Sequence, residues 1–269
     1  MQALPAAAYF LFLEAAVGGV IALFWLHSRD ELPRGFLLFT GVCLLILGGL
    51  GAWLRFAFPP LVGDLETVWF ASERTLSLAF GLLLTVYLVT LRVETWRGLG
   101  RLIHPLVPLV GLGWLWSAAL VDPNAQLGGL GAPLAVLAGA MALGSALVAL
   151  SLGHWYLVSP RLSTRPLIAI TFLCLGALVV QLILLPVMLF LPGLRPDRLT
   201  ALFTESLLFL AVRVVFGLIV PIGAVVMAWR TARIRSLDSA TGLLYIVVAL
   251  VLAGEIAART LFFLTGVAT

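Results

Sequence analysis

GLLYIVVALVLAGEIAARTLFFLT, residues Gly242 to Thr265, is long and apolar enough to cross a bilayer, yet it carries two charges in its interior. A transmembrane helix needs about 20 predominantly apolar residues, and this run meets that length. Glu255 and Arg259 stand four residues apart, so a helix places them on one face with the carboxylate N-terminal to the guanidinium, the more favourable order. Charges at that depth are costly unless something pairs with them. The reading of the whole chain therefore turns on how many such spans there are and which polar groups they bring to Glu255 and Arg259.

Composition settles the class. Of the 269 residues 62% are hydrophobic and 10% charged, and the mean hydropathy is +1.17, which is outside the range of a water-soluble domain. The expected fold is an all-α integral membrane protein, residues 1–269 forming a single polytopic membrane domain. All 16 cationic side chains are Arg. The net charge of +4 is explained by arginines that flank spans, so nucleic acid is not an expected partner. Cys43 and Cys174 each stand alone in an apolar run, with no spacing that suggests a disulfide or a metal site. No basic region precedes the first span, so no cleavable leader is expected.

Eight spans are expected, at about 5–27, 36–58, 75–92, 103–121, 133–157, 167–191, 205–229 and 242–265. The longest connection, Pro59 to Arg74, carries Trp69 and Phe70 among Asp64, Glu66 and Glu73, a pattern that suits a short interfacial helix. The connections after spans one, three, five and seven hold ten arginines, and the opposite side holds Arg55, Arg74, Arg195 and Arg198. The positive-inside rule then puts both termini outside the cytoplasm, in the plasma (cell inner) membrane. Trp25-Leu26-His27 with Pro33-Arg34 resembles His154-Trp155 with Pro160-Arg161, which suits two four-helix halves. Span five, with Ala135, Ala138, Gly139, Ala142, Gly144 and Ala149, lets neighbours approach closely and belongs in the middle of the bundle.

With that orientation Glu14, Arg213 and Glu255 each lie about 8 to 10 residues in from the outer ends of their spans. Gln181 is at a similar level, and Arg259 one turn nearer the outer face. One shared buried cluster explains this better than separate solutions. Two readings of it stay open. In one, the cluster holds a polar head group such as a quinone ring, or forms a step on a proton path. In the other, the charges neutralise one another and fix helix register.

The three histidines fall on the other side: His27 ends span one, His104 opens span four and His154 closes span five. They are candidates for haem b or metal ligation, His154 with His27 or His104, for a polar site, or for plain interfacial packing. No P-loop, cysteine cluster, HExxH or GxSxG motif occurs, so nucleotide hydrolysis, iron-sulfur binding, zinc proteolysis and serine hydrolysis are not expected of this chain.

Eight spans, short connections and a last helix reading GEIAARTLFF at 254–263 resemble the membrane-anchor subunits of molybdopterin oxidoreductases, the dimethyl sulfoxide reductase anchor and polysulfide reductase NrfD-type group. The resemblance implies a non-catalytic or quinol-oxidising subunit of an oxidoreductase complex, with quinone as its cofactor, redox partner subunits beside it, and Glu255 and Arg259 as candidate binding residues. Alternatives from the residues alone are a proton-coupled small-solute transporter and a haem b subunit.

Overall fold

The computed structural model of the chain describes residues 3–29, 32–59, 68–121, 126–159, 161–190 and 196–269. Among these the structure is helical, with no strand. The elements in order are α1 (Ala3–His27), α2 (Arg34–Ala57), α3 (Val68–Arg92), α4 (Arg97–Ile103), α5 (Leu106–Val121), α6 (Gly131–Val158), α7 (Arg165–Phe190), α8 (Pro196–Thr204), α9 (Leu207–Ala211), a π-helical segment (Val212–Ile219), α10 (Val220–Arg233) and α11 (Leu237–Thr265). Eight stretches are long and apolar enough to span a membrane, with α4–α5 and α9–α10 each forming one of them.

Lipid-facing and buried positions are both apolar here, so amphipathicity does not tell which helix is central; side-chain size does. Of the most apolar 18 residues of each span, 78% are buried in α1 and 67% in α6, against 33% in α2, α3 and α7. Glycine makes this central pair possible. A Cβ on Gly18 would lie 1.7 Å from the carbonyl oxygen of Ala140, and one on Gly144 would lie 2.1 Å from the Gly18 backbone. The α1 and α6 backbones touch where no side chain fits, the close approach that small residues permit between membrane helices. Helices α2, α3 and α5 pack on the α1 side, and α7, α10 and α11 on the α6 side. The small-residue span is thus central, as its composition predicts.

Three local features differ from the expected spans. First, α3 begins at Val68 rather than near 75, so Trp69, Phe70 and Glu73 occupy its first turns and not a separate interfacial helix. The physical reason is Arg55 at the end of α2. Its Nε donates to Glu73 Oε1 at 2.8 Å and its Nη2 to Oε2 at 3.0 Å, a bidentate pair that lets a carboxylate sit buried in the bundle. Asp64 and Glu66 lie outside the described residues.

Second, span four is broken: α4 ends at Ile103, and α5 starts at Leu106 after His104 and Pro105. His104 keeps helical angles (φ −44°, ψ −52°) and donates to the Gly100 carbonyl at 2.9 Å, and the helical hydrogen-bond ladder is interrupted at Pro105, which has no N–H to give.

Third, span seven carries a π-helical turn, Val212–Ile219, immediately before Pro221 in the first turn of α10. The wider turn re-aims Arg213, and π-turns recur at functional sites. It is also where α11 comes closest, because a Cβ on Gly254 would lie 2.3 Å from the Gly217 Cα.

The end of α11 completes the frame. Gly266 takes the left-handed conformation (φ +70°) that closes a helix, and its carbonyl accepts from Arg198 Nη1 at 3.3 Å. Val267, Ala268 and Thr269 then run back into the bundle, all buried.

Candidate functional site

The five polar residues placed at a common depth meet. Glu14 comes from α1, Gln181 from α7, Arg213 from the π-helical turn, and Glu255 and Arg259 from α11; each is at most 3% exposed. Glu255 is the hub. Its Oε1 accepts from Gln181 Nε2 at 2.8 Å and from Arg213 Nη1 at 3.0 Å, and its Oε2 accepts from Arg259 Nη2 at 3.4 Å. Arg259 Nη2 also donates to the Ala135 carbonyl at 3.3 Å and lies 3.0 Å from Glu14 Oε1. Arg213 Nη2 donates to the Thr269 carbonyl at 3.3 Å. Two guanidiniums thus face two carboxylates in the bundle interior, and the four side-chain charges balance.

The floor of the cluster is backbone. A Cβ on Gly139 would lie 2.7 Å from Glu255 Oε2, 3.0 Å from Glu14 Oε1 and 3.1 Å from Arg259 Nη2. Glycine at this point of α6 lets both carboxylates and a guanidinium lie against the helix.

The two carboxylates are held differently. Glu255 has three charge-assisted or amide partners. Glu14 is 0% exposed, and neither of its oxygens has a hydrogen bond; the contact to Arg259 is close in distance but not aligned for one. Gln181 Oε1, Arg213 Nε and Thr269 Oγ1 are likewise buried without hydrogen-bond partners. These three residues border one small gap, lined also by Leu184, Leu185 and Met188, with a volume of about 10 Å³. That is about the space of one water molecule, and the orphan polar atoms offer it partners. A quinone ring does not fit among these side chains as they stand.

A second buried polar group lies nearer the N-terminal end of α1 and was not anticipated from the sequence. The Arg55 guanidinium, paired with Glu73, stacks 4.9 Å over the Tyr9 ring, and Tyr9 Oη accepts from Trp114 Nε1 at 3.1 Å. The pair joins α2 to α3, and the stacking and hydrogen bond join both to α1 and α5. Its one sequence signal is an Arg ending an apolar run and a Glu opening the next, which also describes ordinary loop charges.

The histidines separate. His27 and His104 meet at 5.1 Å between ring centroids, edge to face, and Tyr87 Oη lies 2.6 Å from His27 Nδ1. Phe24 stacks on His104 at 4.6 Å. His154 is exposed on α6. An edge-on contact at this distance leaves no slot for a macrocycle between His27 and His104, so the pair does not fit haem b. Among the described residues no group of three or more His, Cys, Asp or Glu side chains could hold a metal ion. His27, Tyr87 and His104 instead line a cavity of about 570 Å³, together with Arg34 and Arg101.

No protein-family model matches the chain, and neither the curated proteins nor the solved structures contain a significant match to it.

Proposed function

We propose that the chain is a proton-handling membrane subunit of a quinone-linked redox complex, with both termini outside the cytoplasm and redox partner subunits at its surface. The observation that carries the proton role is Glu14: a carboxylate wholly buried at mid-bundle, with one ion-pair neighbour and no hydrogen bond. Glu14 changes protonation with the loss of a single ion pair, whereas protonating Glu255 disrupts contacts to Gln181, Arg213 and Arg259. Arg259, which touches both carboxylates through one nitrogen, couples them. The quinone link is supported by the resemblance of residues 254–263 to the anchor subunits. The ring's docking place is not between these five side chains.

Infrared difference titration of the purified protein in lipid reads the protonated-carboxyl stretch directly. The wild type should show one such band that responds to pH and shifts in D2O, and Glu14→Gln should remove it. In the native complex the same variant should lose quinol-dependent turnover while the protein still folds. Full turnover in Glu14→Gln sinks the proton assignment.

A second reading, a proton-coupled carrier, is favoured by the π-helical turn beside Pro221, a place where span seven can bend. Liposomes containing this chain alone separate the two: solute uptake driven by a proton gradient belongs to the carrier only.

A further inference from the structure

The cavity at the other end of the bundle is independent of the charge cluster and has a chemistry of its own. It is bounded by His27 at the end of α1, Arg34 and Leu37 at the start of α2, Tyr87 and Thr90 near the end of α3, Arg101 on α4, and His104 at the break before α5. Its volume of about 570 Å³ lies within the range of small-molecule sites, about 300–1,000 Å³.

Among the described lining residues there are two arginines and two histidines and no carboxylate; Asp30 and Glu31 lie outside the described residues. Arg101 stands exposed at the rim, where a ligand from water or from the lipid surface meets it first. Deeper in, His104 Nε2 is buried without a hydrogen-bond partner. Phe24 stacked on the ring and the edge of His27 fix its direction. Tyr87 Oη and His27 Nδ1 share a hydrogen bond at 2.6 Å, its direction following the imidazole tautomer. Arg101 and His104 stand three residues apart and share one helical face, because His104 keeps helical backbone angles and its N–H donates to the Gly100 carbonyl at 2.9 Å. Gly100 lets α4 close on α3, since a Cβ there would meet Thr90 Oγ1 at 2.6 Å.

A guanidinium at a rim, with an imidazole behind it whose Nε2 donates when it carries the proton, is a donor set for a phosphate-type oxyanion. We propose that this cavity binds such an oxyanion, either as free phosphate or as the head group of an anionic lipid whose chains lie along the apolar α2–α3 side. The site has the arginine-rich side of the protein around it, the side where anionic head groups collect.

The test is thermal unfolding of the purified full chain in phosphatidylcholine nanodiscs, with inorganic phosphate added, or with phosphatidylglycerol built into the disc, against chloride at equal ionic strength. The wild type should be stabilised by one of the two probes and not by chloride. Stabilisation by phosphate identifies a soluble anion, and stabilisation by phosphatidylglycerol alone identifies a lipid head group. Arg101→Gln, at the exposed rim, should keep the ligand-free melting temperature and weaken the half-saturating concentration by about tenfold or more, the loss of one charge-assisted contact. His104→Gln should weaken it as well. If neither probe stabilises the wild type beyond chloride, or if Arg101→Gln leaves the effect unchanged, the proposal is overturned, whether or not His104→Gln folds.

Discussion

Removing one charge from the buried cluster should cost far more than removing a balanced pair. In Glu255→Gln the amide has the shape of the carboxylate but leaves Arg213 and Arg259 facing only Glu14. At an effective dielectric near 20, each Arg contact to Glu255, at 3.0 and 3.4 Å, represents a gross attraction of about 5 kcal/mol. Most of that offsets the desolvation of the three ions. The measured consequence of breaking such a pair from one side is about 3–5 kcal/mol, because a charge stays buried without its partner. For a chain of this size that corresponds to a fall in melting temperature of about 6–20 °C on the scale of soluble domains.

The double variant Glu255→Gln/Arg213→Gln restores neutrality and leaves Glu14 with Arg259. It should be more stable than Glu255→Gln alone, although it carries one more substitution. Tryptophan fluorescence during thermal unfolding in one detergent measures all four corners of the cycle. A Glu255→Gln variant within about 1 kcal/mol of wild type, or a double variant whose loss equals the sum of the two singles, would refute the view that these ions hold one another.

Two further expectations follow from geometry. Gly139→Ala pushes a methyl group against three charged atoms within 3.1 Å and should destabilise by about 1–3 kcal/mol. Gly176→Ala, also mid-helix but with nothing within 4 Å of the added carbon, should be neutral or stabilising in the same unfolding assay. At the second cluster, Arg55→Met alone removes the cationic partner of the buried Glu73 carboxylate and should cost about 3–5 kcal/mol, whereas Arg55→Met/Glu73→Met should return most of the loss; chemical denaturation of the two variants against wild type measures it.

The charge cluster was legible because depth is a one-dimensional quantity. Every span crosses the same thickness, so counting residues from the ends of apolar runs puts Glu14, Gln181, Arg213 and Glu255 in one layer, and the cost of an unpaired charge in lipid requires that they meet. The count was silent on who pairs with whom. Arg213 reaches Glu255 because of a π-helical turn and the Gly217–Gly254 contact, and neither has a signal in hydropathy. The Arg55–Glu73 pair escaped notice for a related reason: both residues sit at span ends, where a charge is ordinary, and only the packing of α1, α2, α3 and α5 shows that this end is closed. The histidines were placed at a common depth but not round the helix axes, so the meeting of His27 with His104 and the exposure of His154 could not be told apart.

The sequence by itself determined the number of spans, the central place of α6 and the layer in which the charges lie. Each depends on chain-local quantities, the length of an apolar run, side-chain size and distance from a span end. Tertiary structure alone decided that the cluster closes to a gap of about 10 Å³ while the opposite end opens to about 570 Å³. Both volumes depend on how far helices remote in sequence approach one another, and that is set by glycine contacts, a proline break and one wide helical turn acting together.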